Sequence, residues 1–363
     1  MKAPDINADP LYRHVAEDIK AQIATGTWQA GDKLPSEHAL CALYHVSQIT
    51  VRRALRELAY EGRVYSHHGL GWFVNPKEAR DGTDRDVTLL LPDLDWPIAP
   101  LVRYLSDELD AHGAVLHLAF TAGSAEAEAA TLSAAVAREA SVILLTVSGP
   151  ERQATQRYNR LLRDIEIPVV LMLREVAGVK APAVILDEGL CVQLTTRHVL
   201  SLGHRRVAYA GSDPTLIEGQ RRYRGFANTL WEQGLELPLD WVFLGQLTAE
   251  AQVARFRRAF QSSDRPTALV CTSDVQAAEG MFLLRGMDLQ CPEDVAIVGL
   301  GDHDLAPWLT APLSTFHFDL PGLARAATAM TFDLLAGHTV ENVRVSGRFV
   351  SRASCGARFG RAR

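Results

Sequence analysis

The chain has 363 residues and a formal net charge of −6, with 37 Lys and Arg against 43 Asp and Glu. That length allows two or three domains with substantial cores. A composition 47% hydrophobic and 22% charged excludes a disordered chain. No run approaches the roughly 18 apolar residues of a membrane-spanning helix. The opening MKAPDINADPLY lacks an apolar signal core, so a soluble, cytoplasmic protein is expected. Cys41, Cys191, Cys271, Cys291 and Cys355 are scattered, with neither a CxxC nor a Cys/His zinc spacing. They predict buried free thiols, with no metal and no cofactor.

In chain order, Leu11, Val15, Ile19 and Ile23 recur every four residues, the stripe of a helix opened by Pro10 and stopped at Gly26. Ser36 can cap a second helix that turns Leu40 and Leu43 inward. Ser47 can cap a third, with Val51, Leu55 and Leu58 on its buried side. Gln48, Ile49, Thr50, Arg52 and Arg53 then crowd the start of the third helix, where free N–H groups and the dipole favour phosphate. Beyond Gly62, Val64–Ser66 and Trp72–Val74 can pair as a hairpin around His67-His68-Gly69-Leu70-Gly71. Helix, turn, helix and wing fit a DNA major groove. The stripes alone leave a generic three-helix domain equally open. The acidic whole chain counts mildly against DNA, and the cluster Arg52, Arg53, Arg56 and Arg63 predicts moderate, salt-sensitive affinity.

The exact string is more specific. Residues 10–74 resemble the winged helix-turn-helix of the GntR family of bacterial transcription regulators. The match is carried by Pro10-Leu11-Tyr12, Leu34-Pro35-Ser36-Glu37, Val46-Ser47, Thr50-Val51-Arg52, Ala54-Leu55, Gly62, Gly69, Gly71 and Phe73-Val74. The resemblance implies that Thr50 and Arg52 meet phosphates or base edges and that His68-Gly69 sits at the wing tip. Ser36, His38, Ser47, Gln48, Ile49, Arg53 and His67 complete the DNA-binding candidates. Two positions depart from the family: Gln48 where Arg is usual, and His38 where Arg or Asn is frequent. Gln reads adenine bidentately whereas Arg favours guanine or phosphate, so a shifted operator preference is expected.

Residues 75–86, NPKEARDGTDRD, carry almost no apolar side chains and read as a linker spanning about 20 Å. From Val87 short β runs alternate with helical stretches. The expected strands are Val87–Leu91, Val115–Ala119, Val142–Thr146, Val169–Leu173 and Val184–Leu186, then Val207–Ala210, Trp241–Leu244, Ala268–Cys271 and Val295–Val298. Two such series imply two doubly wound parallel α/β lobes with a ligand cleft between them.

This region, about 87–355, resembles the effector domain of the LacI family, itself similar to periplasmic sugar-binding proteins. The carrying residues include Leu202-Gly203-His204-Arg205-Arg206-Val207, Arg222 with Gly225-Phe226, Ser273-Asp274, Pro292-Glu293-Asp294-Val295, Pro312-Leu313-Ser314-Thr315 and Phe349-Val350-Ser351-Arg352. A GntR head on such a sensor is similar to arabinose-responsive hybrid regulators. The resemblance implies a head over 8–76, a linker over 77–86 and an effector domain over 87–355. Lobe 1 would take 87–187 and 316–343, lobe 2 188–315 and 344–355, with crossings near Asp187, Thr315 and Arg344 and a basic tail over 356–363.

For an effector, Arg222 stands where the family places an arginine that clamps ligand oxygens. Asp274 can accept from hydroxyls, Trp96 can stack on a sugar face, and Asp302 is a further candidate. The family aspartates at the positions of Leu173 and Gly301 are missing, which removes acceptors a free sugar would use. A less hydroxylated, acidic or modified sugar, or no ligand at all, stays open. His204 belongs to a structural turn in this family, and no residue is assigned to catalysis.

The leading expectation is a repressor that binds a palindromic DNA operator as a homodimer and responds to a small molecule, without a membrane. An enzyme with a DNA-binding head is the second. Lys180 is the only lysine after Lys77, and no GxSxG, HExxH, Walker loop or dinucleotide fingerprint occurs. A ligand-independent DNA-binding protein is the third.

Overall fold

A computed structural model describes residues 11–29, 31–60, 63–67, 71–74, 85–95 and 97–357. The chain divides between Asp84 and Arg85 into two compact units. The first contains α1 (Leu11–Ala24), α2 (Glu37–Tyr44), α3 (Gln48–Tyr60), β1 (Val64–His67) and β2 (Gly71–Val74). Val15, Ile19, Leu40, Val51, Leu55, Leu58, Val64 and Val74 form its core. Ser36 and Ser47 both cap as expected: their Oγ atoms accept from Ala39 N at 3.2 Å and Thr50 N at 3.3 Å. β1 and β2 pair antiparallel from Val64↔Val74 to His67↔Gly71. Val74 N donates to Asp32 O at 2.8 Å and Leu34 N to Trp72 O at 2.9 Å, which ties the wing to the segment before α2.

Two expected core positions are exposed. Leu11 is 65% and Leu43 55% accessible. A stripe repeating every four residues drifts about 40° per step on a helix of 3.6 residues per turn, so Leu11 leaves the buried face that Val15 and Ile19 share. On α2, Leu40 and Tyr44 face the core and Leu43 lies beside that face. Pro10, Gly62, His68, Gly69, most of the linker and the tail from Arg358 lie outside the described residues.

The second unit holds two six-stranded sheets. The first, in order β13-β7-β6-β5-β3-β4, is parallel throughout. Its strands are β3 (Arg85–Leu91), β4 (Ala114–Phe120), β5 (Val142–Thr146), β6 (Val169–Leu173), β7 (Ala183–Leu186) and β13 (Val343–Val345). The second runs β14-β12-β11-β10-β8-β9, with only β14 antiparallel. It contains β8 (Val207–Gly211), β9 (Val242–Leu244), β10 (Ala268–Cys271), β11 (Ala296–Gly301), β12 (Ser314–Phe318) and β14 (Gly347–Val350). Both sheets are covered by helices, which is why β5, β7, β8, β10 and β11 are almost wholly apolar and buried end to end. Those helices are α4 (Ile98–Ala111), α5 (Ala125–Ala137), α6 (Ala154–Leu161), α7 (Glu188–Ser201), α8 (Ile217–Glu232), α9 (Glu250–Gln261), α10 (Asp274–Arg285) and α11 (Leu320–Leu335).

Arg85 and Asp86, expected in the linker, open β3 by pairing with Ala114 and Val115. Sheet membership puts the lobe crossings at Asp187, Asp319 and Ser346, against the expected Asp187, Thr315 and Arg344. Cys191, Cys271 and Cys355 are buried free thiols, whereas Cys41 and Cys291 are only partly covered. Among the described residues no helix is long and apolar enough to cross a membrane.

Candidate functional site

In the first unit, the exposed face of α3 carries Gln48, Ile49, Arg52 and Arg53, with Ile49 81% accessible. An isoleucine so exposed contributes nothing to the head's core. An apolar side chain so placed can contact a methyl group such as that of thymine. Gln48 and Arg52 are one helical turn apart, and Glu37 at the start of α2 holds both. Its Oε2 accepts from Gln48 Nε2 at 3.1 Å and from Arg52 Nε at 2.7 Å. Slight burial works against the Glu37 charge, but these bonds outweigh it and keep the carboxyl below its ordinary range. Gln48 retains one N–H and its carbonyl, the pair needed to read adenine. Arg53 turns the other way, its guanidinium 4.0 Å above the Tyr12 ring. Thr50 Oγ1 lies 2.8 Å from Ser47 Oγ, and Ser36 and His38 are exposed on the start of α2. His67 ends β1, while His68 and Gly69 lie outside the described residues.

In the second unit, a cavity of about 320 Å³ opens where the strands of the two lobes end. It lies at the carboxyl ends of β3, β5, β6, β7 and β8, and β3, flanked by β4 and β5, is a topological switch point of the first sheet. Pro92, Asp93, Asp95, Pro97, Thr146, Ser148, Leu173 and Arg174 line it from lobe 1. Glu188, Ser212, Glu218 and Arg222 line it from lobe 2.

Its floor is an ion cluster. Arg174 donates from Nε and Nη2 to Glu188 Oε2 and Oε1 at 2.8 and 3.0 Å, and from Nη1 to Val147 O at 2.9 Å. Arg222 donates from Nε and Nη2 to Glu188 Oε1 at 3.2 and 2.5 Å, and from Nη1 to Thr272 O at 3.3 Å. The Glu188 side chain is 2% accessible. Burial alone would raise its pKa; the two guanidiniums prevail and hold it down at about 2. Arg222 reaches Glu188 because α7 and α8 nearly touch: a Cβ on Gly225 would sit 2.3 Å from Gly189 O. Behind the cavity, Tyr158 Oη accepts from Ser148 N at 3.0 Å and donates to Glu128 Oε1 at 3.2 Å, fixing the loop after β5.

Of the expected effector residues, Arg222 is in the lining and faces Glu188. Trp96 lies outside the described residues, between the lining residues Asp95 and Pro97. Asp274 and Asp302 are not among the lining residues. Asp274 accepts from Thr315 Oγ1 at 2.6 Å and from His303 N at 2.5 Å, and burial pushes its carboxyl above the ordinary value. Asp302 pairs with Arg352 at 2.8 Å and His317 at 3.0 Å. Gly301 has φ +127°, a conformation open to glycine, which explains its presence at the turn leading to Asp302. His204 is held in its turn by Thr267 Oγ1 at 3.0 Å. Sequence reasoning missed Glu37, Arg174, Glu188 and Glu218 as site residues. Arg174 directly follows Leu173, whose missing carboxylate was the available signal.

These features define a two-part protein, a winged helix-turn-helix head and a two-lobed binding domain. Residues 11–74 match the bacterial regulatory proteins of the gntR family, and residues 196–355 match the periplasmic binding protein-like domain. The chain is 28% identical to the arabinose metabolism transcriptional repressor of Geobacillus stearothermophilus, over 92% of this chain and 93% of that protein. Its fold is shared by the transcription regulator GntR of Chromobacterium violaceum, with a TM-score of 0.65, 22% identity and coverage of 75% of this chain and 100% of the other. It is also shared by the transcriptional regulator CelR in its cellobiose complex, with a TM-score of 0.66, 21% identity and coverage of 85% and 91%.

Proposed function

We propose that this chain is a DNA-binding transcription repressor whose operator affinity is set by a small sugar or sugar derivative held between the two lobes. The observation that carries the reading is the pairing, in one polypeptide, of an exposed Gln48-Ile49-Arg52 face on α3 with a polar cavity at the strand ends. Gln48 and Ile49 read bases, Arg52 and the α3 N-terminus hold phosphate, and the wing at His67-His68-Gly69 follows the backbone. Arg222 contacts effector at the cavity floor and Trp96 stacks on its apolar face. Asp274 and Asp302 brace lobe 2 behind the site. The protein works in the cytoplasm, with no membrane step and no catalysis.

It acts as a homodimer on a palindromic operator. On α10, Val275 and Phe282 fall on one helix face and are 58% and 71% exposed, and Trp308 in the same lobe is 84% exposed. Apolar area of that kind is what a two-fold interface covers. The interlobe ion cluster also favours a second reading, in which the lobes stay closed and DNA binding needs no ligand.

Selection of bound duplexes from a random library, followed by footprinting with and without sugars, tests the proposal. An inverted repeat protected by the protein and released or tightened by a sugar is the expected result. Failure to enrich any duplex refutes the DNA-binding reading, and a footprint indifferent to every sugar favours the second one.

A further inference from the structure

The cavity floor contains an anion that belongs to the protein. We infer that Glu188 acts as a tethered counter-anion, which makes the cavity a site for uncharged polyhydroxylated ligands and turns away their carboxylate and phosphate forms. The inference rests on the effector reading above and narrows its ligand class.

The cations that line the cavity are Arg174 and Arg222, contributed by opposite lobes. An acidic ligand would have to bind through them. Both guanidiniums already direct their Nε–Nη2 edge at Glu188, in four bonds of 2.5 to 3.2 Å. Being tethered, Glu188 is always present at the guanidiniums, so a free anion must displace it to bind there. It also stays ionised at any physiological pH, since its partners hold its carboxyl near 2.

The remaining charged groups in the lining are Asp93, Asp95 and Glu218, all carboxylates. Four carboxylates against two guanidiniums leave no surplus positive charge for a ligand anion. The same carboxylates are good acceptors for ligand hydroxyls, which replace those missing at Leu173 and Gly301. Each guanidinium also keeps N–H groups beyond the bonds named, enough to donate to a neutral hydroxyl or ring oxygen. Pro92, Pro97, Ile98 and Leu173 supply the apolar wall that a sugar's C–H face needs.

The test is calorimetric titration of the full-length protein with matched sets: glucose, glucuronate and glucose 6-phosphate; galactose and galacturonate; arabinose and arabinonate. Wild type is expected to bind a neutral member at least 100-fold more tightly than its acid or phosphate. E188Q, which keeps the shape and removes the charge, is expected to cut that ratio at least tenfold by gaining affinity for the acid. Should E188Q not fold, R174Q/E188Q removes a cation together with the anion and supports the same comparison at Arg222. Equal or tighter binding of an acid by wild type overturns the inference while leaving the effector reading intact. A ratio unchanged in the variant also overturns it. Wild type that binds no member counts against the effector reading instead. The inference is then upheld if the Glu188 variant gains an acid and overturned if it does not.

Discussion

Replacing Glu188 with Gln leaves Arg174 and Arg222 buried on either side of a neutral amide. Breaking a buried ion cluster by removing one member costs about 3–5 kcal/mol, because the partners lose compensation while remaining desolvated. The depressed Glu188 carboxyl gives a second figure for the same cluster. Its carboxyl sits at about 2 in the folded protein against an ordinary 4.5, and 1.36 kcal/mol per unit makes that roughly 3 kcal/mol. The folded pKa is depressed, so this stability is fully present above pH 4.5 and is lost as pH falls towards 2. Urea denaturation followed by circular dichroism at pH 7 should therefore show E188Q less stable by about 3 kcal/mol. Between pH 4.5 and 2 wild type should lose stability more steeply, so that the two curves converge. A loss under about 1 kcal/mol at pH 7, or parallel pH profiles, would refute a cohesive role for the cluster.

Arg52→Ala should weaken binding to every duplex and lower the slope of log affinity against log salt by about 1, measured by fluorescence anisotropy. Gln48→Arg should move preference from adenine towards guanine at one position per half-site, read by repeating the duplex selection. Phe282→Asp should convert the dimer to monomer in sedimentation velocity and abolish binding to an inverted repeat, since a charge on the α10 face opposes its own copy across a two-fold. Asp274→Ala should cost about 1–3 kcal/mol by stranding the Thr315 hydroxyl and His303 N–H. The sugar affinity of that variant, measured calorimetrically, should change by less than threefold.

β5, β7, β8 and β10 were legible because they are almost wholly runs of Val, Ile, Leu, Ala or Cys with clear ends, whereas the nearly as buried β12, STFHF, lacks such a run and was missed. The short β13, largely exposed, offers no such run and was missed. The capping serines of α2 and α3 could be read from local chemistry alone. The cavity floor could not, because it depends on tertiary proximity. Arg174 and Glu188 are fourteen positions apart on different lobes, and nothing local marks them as partners. Asp274 stands at a ligand-like position, and its oxygens accept from Thr315 and His303 N, both distant in sequence, which no local pattern announces. Leu43 failed for a simpler reason, since on the eight-residue α2 Leu40 and Tyr44 already fill the face turned to the core.

The near-contact of Gly225 with Gly189 gives engineers a handle remote from any ligand. Inserting a single methyl at Gly225 would wedge α7 from α8 and withdraw the Arg222 guanidinium from the Glu188 carboxylate, reshaping the cavity floor without placing a new side chain in it. The charge balance of the cavity could thus be retuned from behind, by shifting Arg222 and Glu188 rather than replacing them.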